Sequence, residues 1–190
     1  MDMRYKVAQI FFFPLLLITL GGCKAVAPIS PPEGERTMTI KISSPAVEEG
    51  GLIPRRFTCD GEDLSLPLAW SGMPPEAKSL ALIVDDPDAP VGIWVHWILY
   101  DMSPTLTSLP EGVVKTPSVS GIGIQGTNDF HKIGYGGPCP PKGKPHRYFF
   151  KLYALDSLLN LQPGVTKAAL EKAMQGHILA QGQWFGVYRR

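Results

Sequence analysis

One acidic segment of the sequence combines three carboxylates with two prolines. It reads Asp85-Asp86-Pro87-Asp88-Ala89-Pro90 and directly follows the apolar run Leu80–Val84. Like charges this close repel one another, so they need hydrogen-bond donors, a cation or solvent around them. Each proline fixes φ and removes a backbone donor, which presets the arrangement of the carboxylates. The segment predicts either a solvated turn or one wall of a binding site, with Asp86 and Asp88 as candidate site residues.

A histidine lies between aromatic residues in the segment Trp94–Trp97, which reads WVHW. A buried histidine needs a hydrogen-bond partner. Asp86 or Asp88 can supply it, which fixes the tautomer of His96 and leaves its second ring nitrogen for a ligand. Alternation along a strand predicts two faces, one with Trp94, His96 and Ile98, the other with Val95, Trp97 and Leu99.

A loop rich in glycine and proline precedes a second histidine. Residues 134–145 read GYGGPCPPKGKP, and the predicted strand after them is headed by His146. This composition leaves the loop few alternative conformations and allows close approach of its backbone. Alternation places His146 and Tyr148 on one face and Arg147 on the other. Two histidines, a tyrosine hydroxyl and loop amides form a donor-rich pocket, which predicts binding of a small anion such as phosphate or sulfate.

Strand patterns dominate the elements that must position these residues. One helix is predicted over Lys167–Leu179, with Thr166 as its N-cap and His177 as a core or surface histidine rather than a ligand. Several strands with one late helix predict a mainly β protein, an antiparallel β-sandwich with peripheral helices. The strand segments alternate in polarity or are rich in β-branched and aromatic residues: 38–43, Leu80–Val84, Ile93–Tyr100, Arg147–Leu155 and Gln183–Tyr188.

The N-terminus has the pattern of an export signal. Arg4 and Lys6 precede the apolar run Val7–Leu20, which is shorter than the about 20 residues that span a bilayer. The run ends in Leu20-Gly21-Gly22-Cys23, which resembles the lipobox of bacterial lipoproteins. The alternative is an ordinary signal peptide followed by a chance cysteine. The lipoprotein interpretation predicts an exported protein, anchored to the cell envelope by lipid on Cys23.

The chain is expected to divide into a signal peptide (1–22), a proline-rich tether (23–36) and one domain (37–190). In a Gram-negative host, Lys24 after the cysteine favours the periplasmic face of the outer membrane. The formal net charge is +1, so the sequence lacks the basic stripe expected of a nucleic-acid-binding protein. No nucleic-acid partner is therefore predicted.

Two further cysteines, Cys59 and Cys139, each lie in a glycine-rich loop. In an exported protein such thiols can form a disulfide, which would tie the two loops together. The alternative is two buried free thiols. The separation of their Cα atoms decides between these outcomes, and sequence does not supply it.

Three motifs together resemble the phosphatidylethanolamine-binding protein (PEBP) family. They are DPDAP (86–90), WVHW (94–97) and GPCPPKGKPHRY (137–148), in this order and spacing. The match is most similar to the bacterial branch described as Raf-kinase-inhibitor-like. Four further stretches carry the same resemblance, which covers residues 38–190: FTCDGEDLSLPLAW (57–70), KSLALIVDDPDAP (78–90), NDF (128–130) and MQGHILA (174–180).

The resemblance implies a large central antiparallel sheet packed on a smaller one, with a small anion-binding cavity at one edge. It places the rim of that cavity on the loop from Gly137 to Pro140. Asp88 matches the second acidic position of the family's motif. Cys139 occupies a loop position that is glycine in animal members of the family. The implied cavity wall is Asp86, Pro90, Trp94, His96, His146 and Tyr148.

The residues and the resemblance are compatible with three functions. The first is a binding protein for a small phosphorylated molecule or headgroup, whose histidines should bind anions more strongly as pH falls through about 6.5. The second is an inhibitor of an envelope protease or other enzyme, which rests on family analogy. The third is a metal- or cysteine-dependent hydrolase, against which the sequence shows neither HExxH nor GxSxG. The sequence therefore predicts a binding protein without catalytic residues, bound metal or cofactor.

Overall fold

The computed structural model describes residues 38–190. The predicted signal peptide, the predicted lipidation site Cys23 and the predicted tether lie outside the described residues. Among those that are described, no helix is both long and apolar enough to cross a membrane.

Two sheets form the body of residues 38–190. The larger has the strand order β1-β10-β9-β4-β5-β8-β7 and the smaller β2-β3-β6. Neighbouring strands are antiparallel, apart from the parallel pair β1 and β10. The predicted mainly β sandwich is therefore confirmed. The strands are β1 (Met38–Thr39), β2 (Lys41–Ser43), β3 (Leu68–Ser71), β4 (Ser79–Asp86), β5 (Trp94–Met102), β6 (Ser108–Leu109), β7 (Ser118–Val119), β8 (Gly123–Gln125), β9 (His146–Leu155) and β10 (Ile178–Tyr188), and the helix is α1 (Lys167–Met174).

Strand β4 is buried along its whole length, and it contains the continuous apolar run Leu80–Val84. One face contributes to the core between the two sheets, which also contains Trp70 of β3 and Phe150 of β9. The other face packs beneath α1, against Leu170 and Met174. Because both faces are covered, β4 has no polar face and does not show the alternation of a half-buried strand.

The structure shortens the predicted helix. Thr166 caps α1 as predicted, since its hydroxyl accepts a hydrogen bond from the Ala169 amide. The helix ends at Met174 rather than Leu179, because Gly176 takes a positive φ of 79° and the chain then enters β10. His177 is an exposed histidine whose Nδ1 lies 2.8 Å from Asp156 Oδ1, so of the core and surface positions that the sequence allowed, the structure shows the surface one.

Both ends of the domain also differ from the sequence prediction. The predicted first strand is divided at Ile40 into β1 and β2, which join different sheets. At the division, Gly182 of β10 packs against the backbone of Ile40. A Cβ added to Gly182 would lie 2.0 Å from the Ile40 carbonyl oxygen. The last strand begins at Ile178 instead of Gln183. The earlier start of β10 lets it pair with β1 at Ala180 and Gln181.

A β-bulge changes the two faces predicted for β5. Val84 pairs with Trp97 but Asp85 pairs with Val95, so β5 has one extra residue between them. This extra residue is His96, and its ring lies 5.1 Å from that of Tyr148. The predicted faces were wrong for Val95 and Ile98, because a bulge interrupts simple alternation, whereas Trp94 and His96 line the same cavity as predicted. Trp97 and Leu99 pack in the core between the sheets, whereas Val95 and Ile98 pack beneath the helix.

Candidate functional site

A cavity of about 190 Å³ lies where β4 ends and β5 and β9 begin. These strands are antiparallel neighbours, so the last residue of one and the first residues of the others meet at the same edge of the sheet. The volume is below the roughly 300 Å³ that begins the usual range for drug-sized ligands. A cavity of this size can hold only a small molecule or group. Of the predicted site residues, seven line this cavity: Asp86, Pro90, Trp94, His96, Pro140, His146 and Tyr148.

Both histidines of the cavity are oriented through Nδ1. His96 Nδ1 donates to the Gly136 carbonyl oxygen at 2.6 Å, and a carbonyl can only accept, so this nitrogen carries the proton. His146 Nδ1 lies 2.7 Å from Asp86 Oδ2. Sequence reasoning gave Asp86 or Asp88 as the partner of His96, which is wrong, because the Gly136 carbonyl takes that place. The oxygens of Asp86 contact His146 and the Asp88 amide instead. Nε2 is left on each ring for a ligand.

Two further donors of the cavity have no partner. Trp94 Nε1 and Tyr148 Oη are buried and make no hydrogen bond to residues 38–190. Leaving a buried donor unpaired costs about 1–3 kcal/mol. No other buried side-chain nitrogen or oxygen in the described part of the chain is left in this way. Both atoms belong to residues that line the same small cavity.

Burial sets the protonation of the cavity. It lowers the pKa of His96 below its ordinary value of 6.5, against the opposing effects of the Gly136 carbonyl and the Asp86 carboxylate. His96 is therefore neutral at pH 7. Burial also raises the pKa of Tyr148, and the nearby Asp86 and Asp88 raise it further. Tyr148 thus keeps its proton and remains a donor.

Asp88 and Gly137 were predicted to belong to the site, but the structure places both outside the cavity lining. Asp88 forms a bidentate pair with Arg147, with Nε to Oδ2 at 2.9 Å and Nη2 to Oδ1 at 2.7 Å. Hydrogen bonding from Arg147 lowers the pKa of Asp88 to about 2. Arg147 is directed away from the cavity, as alternation predicted. Gly137 donates its amide to Asp63 Oδ1 at 2.6 Å.

The loop of residues 134–145 needs glycine where it passes its neighbours. A Cβ on Gly136 would lie 2.7 Å from a ring carbon of Phe130, and one on Gly137 would lie 2.6 Å from both Asp63 Oδ1 and the Phe57 carbonyl oxygen. Such distances are sterically forbidden for carbon, so a side chain at either position would displace the loop. Gly137 thus supports the rim without lining the cavity.

Sequence reasoning missed Phe130 as a wall of the cavity. Its ring lies edge-on to Trp94 at 5.4 Å and to His96 at 5.3 Å. Phe130 lies two residues after Asn128, which is buried and whose Oδ1 accepts hydrogen bonds from the amides of Phe130 and Lys132. The available signal was the NDF motif at 128–130, which was recognised as part of the resemblance without a role.

Cys59 and Cys139 form a disulfide, with Cα atoms 5.4 Å apart. Of the two outcomes left open by the sequence, the structure therefore shows the pair. Cys139 also lines the cavity. The bond joins the turn after Phe57 to the loop at 134–145. The described residues contain no cluster of three or more His, Cys, Asp or Glu that could hold a metal ion.

A large sheet packed on a small one, with a small histidine-lined cavity at the sheet edge, defines a class of β-sandwich proteins. A sequence model described as phosphatidylethanolamine-binding protein matches residues 43–189. The chain therefore belongs to the phosphatidylethanolamine-binding protein family, as its motifs indicated.

Curated relatives and solved structures agree with this assignment. A UPF0098 protein of Methanothermobacter thermautotrophicus is 49% identical over 151 residues, which cover 80% of this chain and 99% of the relative. One from Pyrococcus abyssi is 44% identical over 191 residues, 99% of each chain.

Two crystal structures are similar to the fold described above. A Chlamydia trachomatis protein, described as a homologue of phosphatidylethanolamine-binding protein, has a TM-score of 0.74 and 43% identity, covering 80% of this chain and 98% of its own. Escherichia coli YbcL, described as a new member of the mammalian PEBP family, has a TM-score of 0.73 and 33% identity with the same coverage.

Proposed function

We propose that the cavity binds the phosphate group of a small molecule or headgroup. The observation that carries this proposal is the pair of unpartnered donors, Trp94 Nε1 and Tyr148 Oη. Both residues line one cavity together with His96 and His146, whose Nδ1 atoms already have partners and whose Nε2 atoms are left for a ligand. An anion with several acceptor oxygens would pair both donors at once, so their desolvation cost in the free protein favours binding.

The charges of the cavity favour an anion that carries or gains a proton. Asp86 is almost fully buried and lies against His146, so a fully ionised phosphate would meet a negative charge. The neutral His96 presents the lone pair of Nε2, which can accept a hydrogen bond from the P–OH group of a phosphate monoanion. Protonation of a histidine, in contrast, supplies the positive charge for a dianion. Binding should therefore be coupled to proton uptake and should strengthen at lower pH.

The proposal is tested by calorimetric titration of the purified chain with inorganic phosphate and with sulfate. Tyr148→Phe removes one donor and retains the ring, and Trp94→Phe removes the other donor and retains a smaller aromatic ring. Because a hydrogen bond to a charged group contributes about 1.5–3 kcal/mol, each substitution should weaken binding about tenfold or more. Tyr153→Phe is the matched control, since it makes the same change on β9 but on the face that packs beneath the helix, and it should leave affinity unchanged.

A second measurement separates binding from folding. In the free protein Tyr148→Phe removes a hydroxyl that has no partner, so its free energy of unfolding should equal or exceed that of the parent. Unchanged or increased stability with weakened anion binding is the expected combination. Absence of saturable binding in the parent, or equal binding by the parent and both donor variants, would show that the cavity is not an anion site.

A further inference from the structure

A second and larger depression lies directly beside the cavity. This groove has a volume of about 580 Å³ and is lined by Lys115, Lys132, Ile133 and Tyr135 among others. Phe130 and Cys139 line both the groove and the cavity, so these two residues form the ridge between them. A ligand that is larger than phosphate and enters the cavity can extend across this ridge.

The ridge is held in place from several sides. The Phe130 ring packs edge-on against the rings of Trp94 and His96. The backbone of Gly136 lies so close to Phe130 that an added Cβ would be 2.7 Å from its ring. Cys139 is fixed by its disulfide to Cys59. The relative positions of cavity and groove are therefore set before a ligand arrives, which reduces the entropy cost of binding across both.

The groove carries a cation without a counter-charge. Lys115 Nζ pairs with Asp63 Oδ2, and the other oxygen of Asp63 accepts the Gly137 amide. Lys132 is exposed and forms no ion pair within residues 38–190. The charged side chains that line the groove are Asp63, Lys115 and Lys132, so their formal sum is positive. This favours an anionic group over a cationic one.

We propose that the groove is a second subsite, which binds a carboxylate or second phosphate of a ligand whose first phosphate occupies the cavity. Lys132 pairs with the second anion, and Phe130 contacts the linking atoms. The ligand class is a phosphate ester with a second acidic group. This second subsite rests on the proposed anion site in the cavity. It adds which chemical group the ligand carries besides its phosphate.

The experiment uses two matched series of compounds. The first contains ω-carboxyalkyl phosphates of increasing chain length, and the second contains n-alkyl phosphates of the same lengths. Calorimetry on the purified chain at low ionic strength should show one chain length at which the carboxylate improves affinity, by about two- to fivefold for an exposed ion pair. The improvement should disappear in high salt, because screening weakens such pairs.

Lys132 variants identify the residue responsible. Lys132→Ala should abolish the difference between the two series, and Lys132→Glu should reverse it. Neither change should alter the affinity for inorganic phosphate by more than a small factor. Lys172→Ala is the matched control, since Lys172 is exposed on α1 and lines neither the cavity nor the groove, and it should retain the carboxylate preference.

The outcomes separate the two proposals. Phosphate binding with equal affinities for the two series at every length overturns the second subsite and leaves the cavity proposal standing. A carboxylate preference that persists in Lys132→Ala also overturns the subsite as placed here. If neither phosphate nor any ester binds, the proposed function fails and the subsite fails with it.

Discussion

At the scale of single residues, the two cavity histidines differ in the partner of Nδ1. The carbonyl of Gly136 accepts from His96, whereas the Asp86 carboxylate lies against His146. Burial lowers the pKa of His96. The cavity thus combines one ring that is neutral at pH 7 with one whose Nδ1 lies against a carboxylate.

The lowered pKa of His96 predicts a loss of stability in mild acid. The folded protein resists protonation of His96, so below the ordinary pKa of 6.5 the unfolded chain binds more protons. The contribution of His96 to the free energy of unfolding is therefore complete above about 6.5 and falls as pH decreases towards its folded pKa. Urea denaturation between pH 7.5 and about 5 should show this slope.

His96→Asn provides the comparison, since its amide can still donate to Gly136 but does not titrate in this range. Its free energy of unfolding should depend less steeply on pH than that of the parent. Saturating sulfate should flatten the parent's slope, because a bound anion stabilises protonated His96. Identical slopes for the two proteins would contradict the assignment of a neutral, buried His96.

At the scale of elements, the sequence predicts which segments are strands better than it predicts how they pair. Leu80–Val84 was recognisable because a continuous apolar run is typical of a strand buried on both faces. The bulge at His96 was not, since alternation has no local signal for one inserted residue. The pairing of His146 with Asp86 depends on the register between β9 and β4, which are 60 residues apart at this contact. That register is a tertiary property.

Asp85 connects β4, β9 and α1 on the face opposite the cavity. It is fully buried, and Lys151 Nζ donates to its oxygens at 2.8 and 2.9 Å. Lys167, the first residue of α1, lies 3.1 Å away. Either lysine alone can pair with the carboxylate. Removing both leaves a buried charge without a partner, which is strongly destabilising.

A double-mutant cycle tests this arrangement. Lys151→Met and Lys167→Met should each lower the free energy of unfolding by about 1 kcal/mol, whereas the double variant should lose about 3–5 kcal/mol. Adding Asp85→Leu to the double variant should restore part of the loss, because it removes the unpaired charge. Strictly additive effects of the two lysine substitutions, measured by urea denaturation, would contradict the shared role of Asp85.

At the scale of the whole molecule, distant segments meet around the Cys59–Cys139 disulfide. Its cysteines are 80 residues apart in sequence. The Cys59 amide donates to the Pro138 carbonyl at 3.1 Å, and the Tyr135 hydroxyl donates to the Phe57 carbonyl at 2.8 Å. The sequence identified both loops as glycine-rich but left the pairing open, because their separation in space depends on the packing of the whole fold. The disulfide also fixes the ridge between cavity and groove.

Replacing both cysteines with serine should affect stability and ligand binding together. Closing a loop of this length restricts the unfolded chain, so its removal should lower the free energy of unfolding by about 2–5 kcal/mol. Anion affinity should also fall, because Cys139 lines the cavity and its position would no longer be fixed. Urea denaturation and sulfate calorimetry of the parent, the variant and the dithiothreitol-reduced parent provide the measurements. Reduction should reproduce both effects of the substitutions. A destabilised variant with unchanged sulfate affinity would mean that the disulfide stabilises the fold without positioning the cavity wall.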